Sequence, residues 1–386
     1  MKVDPSVLTT DARRVLEDPE ISIVVELIGG YEPARTFILQ ALGNGKMVVT
    51  ANKALLAERG DEIFRAARKT GVDVAFEAAV AGGIPILRSL REGLVANRFD
   101  KVMAILNGTC NFILTSMYDN PGVSFSDVLR EAQEMGYAEA DPSLDIDGID
   151  SAHKLVLVLG MTHGIRVSVS DLCVEGIRGI TSFDVKMAKE FAYKIKLLAL
   201  IIGRQDMVEA RVHPTMIPQH HPLATVDGVF NGIYLKGNMV GEQLFYGRGA
   251  GREPTASAVI GDIVECARNA AQGRGGLVPP LGYPEDWTAP VRVMDMKEIS
   301  TNYYLRVQAK DRPGVLSKIS GIMADHCISI HSVVQKGRDA SGSVPVVFIT
   351  HRATEADIQA ACTTIGELDV VDGRPTILRI EDETLD

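Results

Sequence analysis

One stretch of the chain concentrates groups able to hold and move protons. Between positions 136 and 154 (GYAEADPSLDIDGIDSAHK) stand Glu139, Asp141, Asp145, Asp147 and Asp150, and the run ends on Lys154. With Asp147 as N-cap and Asp150 at the third helical position, a helix would begin here. Asp150 and Lys154, four residues apart, would then share one face. Carboxylates so placed can hold a substrate ammonium group, and the lysine can donate or accept a proton. The same residues also suit a salt-bridged helix start with no chemistry of its own. They do not make a calcium loop, because the spacing lacks the D-x-D-x-D-G run with a glutamate at its twelfth position.

Four shorter segments carry a second layer of candidates. Thr50-Ala51-Asn52-Lys53 closes an apolar strand and opens a helix, the place where open α/β sheets bind ligands. Lys53 there can hold an anion or assist proton transfer, or stand solvated in the first turn. Residues 76–85 (FEAAVAGGIP) follow another strand; their glycines allow carbonyls to turn beside Glu77 toward a hard cation, or simply make a tight strand-to-helix turn. Asn107-Gly108-Thr109 precedes a helix that Asn or Thr can cap. Residues 247–251 (GRGAG), ahead of Glu253-Pro254 and an Ala-rich helix, form a glycine nest suited to an anion. The eight histidines show no H-E-x-x-H pairing, and no G-x-S-x-G elbow supports serine hydrolysis.

The elements that must position these groups follow from apolar periodicity. Runs at 21–27 (ISIVVEL), 47–50 (MVVT) and 72–78 (VDVAFEA) predict strands, separated by helices over 33–42 and 53–69, the pattern of a parallel sheet covered by helices. The middle is mixed, with helices expected over 126–135, 149–161, 189–202 and 255–271 and a strand over 208–213. Residues 273–287 are Gly- and Pro-rich and predict a linker. Beyond it, 303–309, 315–325, 328–335, 344–350, 355–365 and 376–380 spell βαββαβ, the ferredoxin-like split motif. Its Asp311-Arg312-Pro313-Gly314 turn precedes a helix and can receive an amino-acid carboxylate, or be a plain loop.

Composition narrows the partners. The 386 residues, 46% hydrophobic and 23% charged, suffice for two or three domains. With 40 basic against 50 acidic residues the net charge is −10, which argues against nucleic acid as the main partner. No apolar run reaches the roughly 20 residues of a membrane span. Five cysteines stand singly, without a C-x-x-C pair, as free thiols would in the cytoplasm.

In order, VVELIGGYEPA, VVTANKALLA, FEAAVAGGIPI, ILNGTCNFIL, GYAEADPSLDIDGIDSAHKL and YGRGAGREPTASAV resemble homoserine dehydrogenase, and the unit carrying DRPGVL resembles an ACT regulatory domain. The resemblance implies NADP- or NAD-dependent reduction of L-aspartate 4-semialdehyde to L-homoserine, on the route to threonine, isoleucine and methionine. It implies an incomplete doubly wound, Rossmann-like sheet over 1–85, a substrate domain over 86–285 whose last helix packs back on the sheet, and an ACT domain over 300–381. By the same resemblance Lys154 and Lys53 are catalytic, and Glu139, Asp150 and Asp145 bind substrate. Lys53, Gly108 and Gly249 lie by the cofactor. Glu77, Val80, Gly82 and Ile84 form a sodium site, and Asp311 and Gly314 meet an amino-acid effector, threonine by analogy. A cytoplasmic homo-oligomer, dimer or tetramer, is expected. Members of this family open on a strand and G-x-G-x-x-G, whereas the given sequence begins roughly 50 residues later in that pattern. The alternative implied by that start is a cofactor-deficient, non-catalytic amino-acid sensor derived from the same family.

Overall fold

A computed structural model describes residues 3–284, 287, 291–336 and 342–385 of the chain. The strands are β1 (Ile23–Glu26), β2 (Met47–Thr50), β3 (Val74–Ala75), β4 (Phe99–Ile105), β5 (Cys173–Val174), β6 (Tyr193–Gly203), β7 (Met207–Pro218), β8 (Phe230–Gly237), β9 (Gly241–Arg248), β10 (Arg292–Val293), β11 (Ser300–Lys310), β12 (Ile330–Gln335), β13 (Ser343–Thr350), β14 (Ala353–Thr354) and β15 (Thr376–Ile380). The helices are α1 (Arg13–Leu16), α2 (Ala34–Gly43), α3 (Lys53–Thr70), α4 (Ile86–Arg88), α5 (Gly108–Asp119), α6 (Phe125–Glu134), α7 (Ser143–Ile146), α8 (Ile149–His163), α9 (Ser182–Glu190), α10 (Arg252–Ala271), α11 (Val315–Asp325) and α12 (Glu355–Gly366). They divide into two compact units, one of residues 1–108, 149–172 and 229–291, the other of 109–148, 173–228 and 292–386.

The first unit is built on a parallel sheet of order β1-β2-β3. β2 is the strand that the sequence predicts; it lies at the centre of the sheet, is buried along its whole length, and its Val48 and Val49 have no exposed surface. α3 starts where the Asn52 side chain accepts the Leu55 N–H and stops at Gly71, whose φ of 70° only glycine takes freely. α10, far along the chain, covers the sheet: its Val259 and Cys266 join Met47, Val49 and Ala75 in one apolar cluster. The same unit holds an antiparallel meander, β4-β8-β9. Of the stretch read as a linker, residues 285 and 286 lie outside those described.

In the second unit the ferredoxin-like order β12-β13-β11-β15 is present, with α11 and α12 supplying Ile319, Met323, Ile358 and Ile365 to a core around Leu305 and Phe348. β15 continues in parallel onto β7, with Arg379 opposite Thr215, and β7 pairs with β6 over its length. The helix expected over 189–202 is overturned here. α9 ends at Glu190, Ala192 turns at φ 63°, and residues from Tyr193 run as strand β6 against β7. Leu197 to Ile201 are buried on both faces, so the strand lacks the alternation that would distinguish it from a buried helix.

Charges are built into this unit's interior. Asp184 is fully buried; its carboxylate accepts from Tyr304 Oη (2.8 Å), Arg306 Nε (2.7 Å) and the Thr181 hydroxyl (2.6 Å), which also caps α9. Asp184→Ala would leave a mostly buried guanidinium and a buried phenol without their acceptor. The expected cost is about 3–5 kcal/mol of unfolding free energy, read as a lower urea midpoint at unchanged slope.

Candidate active site

At the carboxyl ends of the first unit's strands, Glu26 and Asn52 tie the sheet to the loops that follow it. Glu26, at the end of β1 and only 4% exposed, accepts the Ile28 (2.6 Å) and Gly29 (3.1 Å) N–H groups and the Thr50 hydroxyl (2.6 Å). Thr50 Oγ1 in turn accepts the Asn52 N–H, and Asn52 Nδ2 donates to the Gly30 carbonyl (2.7 Å). Gly29 and Gly30 both have positive φ, and a side chain added to either would meet open space. The carboxyl ends of β1 and β2 thus present a fixed backbone surface with room above it, with Lys53 the first residue of α3.

Lys53 Nζ lies 3.3 Å from Asp150 Oδ1. Lys154 Nζ donates to Asp150 Oδ2 (2.7 Å) and to the Leu106 carbonyl (2.6 Å), and Asn107 Nδ2 donates to Asp150 Oδ2 (2.9 Å). The packing of α3 on α8 brings Lys53 to the start of α8, where Asp150 and Lys154 share one face. The side chains of Asp150 and Lys154 are 12% and 11% exposed. Burial by itself would raise the Asp150 carboxyl, but the charges of Lys154 and Lys53, with the hydrogen bonds from Lys154 and Asn107, outweigh it and hold the group well below the usual carboxylate range. A carboxylate pinned in its ionised form therefore positions two ammonium groups, one of them nearly buried. Such a lysine is suited to exchange a proton with an alcohol or carbonyl oxygen.

The helix start itself differs from expectation. Asp147 is not an N-cap: it follows α7, its carboxylate pairs with Arg178, and Gly148 (φ 85°) intervenes before α8. Asp150 therefore occupies the second helical position, still four residues from Lys154. Asn107, offered by the sequence as a helix cap, donates its side-chain amide to Asp150.

Gly108 and Gly249 are positions of close backbone approach. A Cβ on Gly108 would lie 2.7 Å from the Val229 carbonyl, and one on Gly249 would overlap the Asn231 amide at 2.0 Å. Gly82 (φ 53°) lies with equal closeness against the Gly249 carbonyl, and the Gly83 N–H donates to the Arg248 carbonyl. Glu77 is 8% exposed, and its two oxygens accept the Leu87 (2.9 Å) and Arg88 (2.8 Å) N–H groups. Burial pushes its carboxyl up to about 7. Asp262 of α10 accepts the Glu77 N–H (2.8 Å) and is pushed up to about 6, again by burial. Val80, Gly82 and Ile84 follow in the same turn. Among the described residues no three His, Cys, Asp or Glu side chains gather as a metal site, so a cation here would depend on backbone oxygens.

Glu139 and Asp145 belong to the second unit. Glu139 is exposed, with Gln133 Nε2 donating to its carbonyl (3.1 Å). Asp145 accepts from Thr109 Oγ1 (3.2 Å), and Cys110 Sγ donates to its carbonyl. In the same unit Gly314 (φ 86°) caps α11, and Asp311 accepts from Gln335 Nε2 (3.3 Å). Glu26 and Asp262 escaped the sequence reading, and Asn107 entered it only as a helix cap. Glu26 alone left a signal there, a carboxylate inside an otherwise apolar strand.

Three family models match the chain: Homoserine dehydrogenase over residues 85–264, Homoserine dehydrogenase, NAD binding domain over 1–77, and ACT domain over 303–368. A homoserine dehydrogenase of Pseudomonas aeruginosa is 45% identical over 375 residues, 97% of this chain and 86% of the relative. The crystal structure of one from Thiobacillus denitrificans superposes with a TM-score of 0.92 at 49% identity, covering 97% of this chain and 85% of that one. A hyperthermophilic archaeal homoserine dehydrogenase in complex with NADPH superposes at 0.59 and 30% identity over 68% of this chain and 76% of that one.

The Asp150 cluster sets a pH-dependent contribution to stability. A carboxyl lowered by folding stabilises fully above its unfolded value, near 4, and the gain is lost as pH falls toward the folded value. Asp150→Asn is expected to be less stable than the unsubstituted chain near pH 7, with the gap narrowing below about pH 4, followed by urea unfolding across that range.

Proposed function

The chain belongs to the homoserine dehydrogenase family of oxidoreductases, and on that premise we propose that it interconverts L-aspartate 4-semialdehyde and L-homoserine with NADP or NAD. The observation that carries the reading is the Lys53–Asp150–Lys154 cluster, assembled at the carboxyl end of the parallel sheet. The non-catalytic sensor reading has no comparable support and is set aside.

When bound, the nicotinamide supplies or takes up the hydride. Gly29-Gly30, Lys53, Gly108 and Gly249 would hold it, the open backbone above Gly29 and Gly30 being the feature that fits a ligand. Lys154 gives a proton to the carbonyl oxygen as the alcohol forms, and takes it back in the reverse direction. Asp150 and the Leu106 carbonyl fix the Lys154 ammonium in place, and Asn107 fixes Asp150. Glu139 and Asp145 are assigned to the substrate's ammonium group, and Lys53 shares the catalytic role. Lys154→Ala should lower kcat by about two to four orders of magnitude, while the homoserine KM changes by no more than a few-fold. Steady-state oxidation of homoserine tests both. An unchanged kcat would remove Lys154 from the role.

The sodium site belongs to the same proposal, with Glu77 and the carbonyls of Val80, Gly82 and Ile84 as its oxygen ligands. Two buried carboxyls raised by desolvation, Glu77 and Asp262, support it, since a nearby cation would offset the cost of their charge. Raised in the fold, these groups bind protons more tightly there than when unfolded. Their effect therefore lowers stability as pH climbs from about 4 through 6 and 7. The expected signature is a thermal midpoint raised by sodium chloride over choline chloride at equal ionic strength, by more near pH 8 than near pH 5. Equal midpoints in the two salts at both pH values would remove the cation.

Regulation by an amino acid, threonine by resemblance, is proposed to enter through the ACT unit at Asp311 and Gly314. A cytoplasmic homo-oligomer, dimer or tetramer, serving threonine, isoleucine and methionine biosynthesis completes the reading. No helix among the described residues is long and apolar enough to cross a membrane.

A further inference from the structure

We propose that the Arg379–Glu175 ion pair is the joint through which the ACT unit sets the position of the acidic loop at 139–147, and with it the grip on the substrate. The proposal rests on the assignment of Glu139 and Asp145 as substrate carboxylates and of an amino-acid effector to the ACT unit. It makes Glu175 a positioning residue.

Arg379 sits in β15 between Tyr303 of β11 and Thr215 of β7 and is 1% exposed. Its guanidinium meets two carboxylates. Glu355, the first residue of α12, accepts from Nε (2.8 Å) and Nη2 (2.6 Å), and is itself held by the Tyr303 hydroxyl (2.9 Å) and Gln359 (2.7 Å). These contacts all lie within the ACT fold. Glu175, which follows β5, accepts from Nη1 and Nη2 at 2.8 Å each. The effector turn Asp311–Gly314 directly follows β11, and β11 pairs with β15 from Asn302–Ile380 to Arg306–Thr376. An effector that shifts β11 against β15 therefore bears on Arg379.

Beyond Glu175 the chain lies directly on the acidic loop. A Cβ on Gly176 would stand 2.2 Å from the Ile146 carbonyl and 2.5 Å from Asp147 Cα, so there is no clearance to absorb a movement. The Ile177 N–H donates to the Ile146 carbonyl (2.8 Å). Arg178 bonds Asp147 through Nε, and through Nη2 at 2.9 Å, and reaches the Ser143 hydroxyl (3.0 Å). Residues 143–147 carry Asp145, and residue 139 stands a few positions upstream. A displacement of Glu175 is passed to the loop by contact rather than through slack.

The burial of the pair suits a joint that opens and closes. The Arg379 side chain is 2% exposed and that of Glu175 43%. If Glu175 lets go, its carboxylate returns to water and Arg379 keeps Glu355 as counter-ion, so neither state leaves a buried charge unpaired. Two arrangements of nearby energy are what an effector needs in order to bias one against the other.

The test uses the full chain with Glu175→Gln, Glu175→Asp and Glu139→Gln, in steady-state homoserine oxidation with NADP and calorimetric titration of L-threonine. Glu175→Gln is expected to raise the homoserine KM by about five-fold or more, with kcat and the NADP KM within about two-fold, and to lose inhibition by threonine while still binding it. Glu175→Asp, which retains the charge, should recover part of both. An unchanged homoserine KM with unchanged inhibition would overturn the joint. If the unsubstituted chain neither binds threonine nor is inhibited by it, the effector reading fails by itself and the homoserine KM of Glu175→Gln decides the joint. If Glu139→Gln leaves that KM unchanged while Glu175→Gln raises it, Glu139 is removed from the substrate, and the joint stands through Asp145.

Discussion

Asp150 is the constraint to which the site is tied. Its carboxylate is nearly buried, yet it stays ionised because two ammonium groups and an amide converge on it from three elements: Lys53 from α3, Lys154 from one turn further along α8, and Asn107 from the end of β4. Each partner would be poorly placed alone. An ammonium in the first turn of α3 opposes the helix dipole, and a lysine 8% exposed in the middle of an apolar helix face would bear a desolvation cost with no counter-ion. With the carboxylate in place both are held, and the parallel sheet and the packing of α3 on α8 serve to keep that carboxylate where the strands end. The reaction proposed for the chain needs a proton donor at a fixed point beside the carbon that accepts hydride; in that proposal the sheet supplies the surface and Asp150 the point.

The glycines do the complementary work of bringing backbone to backbone. Gly82, Gly108 and Gly249 stand where a methyl group would collide with a carbonyl or an amide. Gly29 and Gly30 instead use their freedom for positive φ and leave open space above them. The first group lets loops close against one another; the second leaves the ends of β1 and β2 open. Five positions that look alike in the sequence divide into two uses only when their surroundings are known.

Much of this was legible beforehand, for identifiable reasons. The strand at 47–50, α11 and β15 were read to the residue because composition, capping and length agreed there. The spacing of Asp150 and Lys154 survived even though the proposed cap did not, because four residues remain one helical turn whichever position starts the helix. Residues 189–202 failed because a strand buried on both faces has no alternation to show. Asn107, Leu106 and Asp262 were beyond reach for another reason: their roles depend on contacts separated by 43, 48 and 185 positions along the chain. A backbone carbonyl such as that of Leu106 leaves no mark in the residue type.

Carboxylates of one kind meet opposite fates in the first unit, and the difference is in what faces them. Asp150 and Glu77 are each mostly withdrawn from water. Asp150 faces two lysine ammonium groups and is held below the ordinary range; Glu77 is satisfied by the main-chain N–H groups of Leu87 and Arg88, which do not offset its desolvation, and rises to about 7. Asp262, which accepts the Glu77 N–H, rises too, with Arg88 only partly compensating. Asp150, which anchors the two lysines, therefore stays ionised through ordinary changes in pH. The turn at 77–84 is left sensitive to them. The cation proposed there would remove that sensitivity by supplying the charge that the backbone cannot, at the turn that seats Gly82 against Gly249.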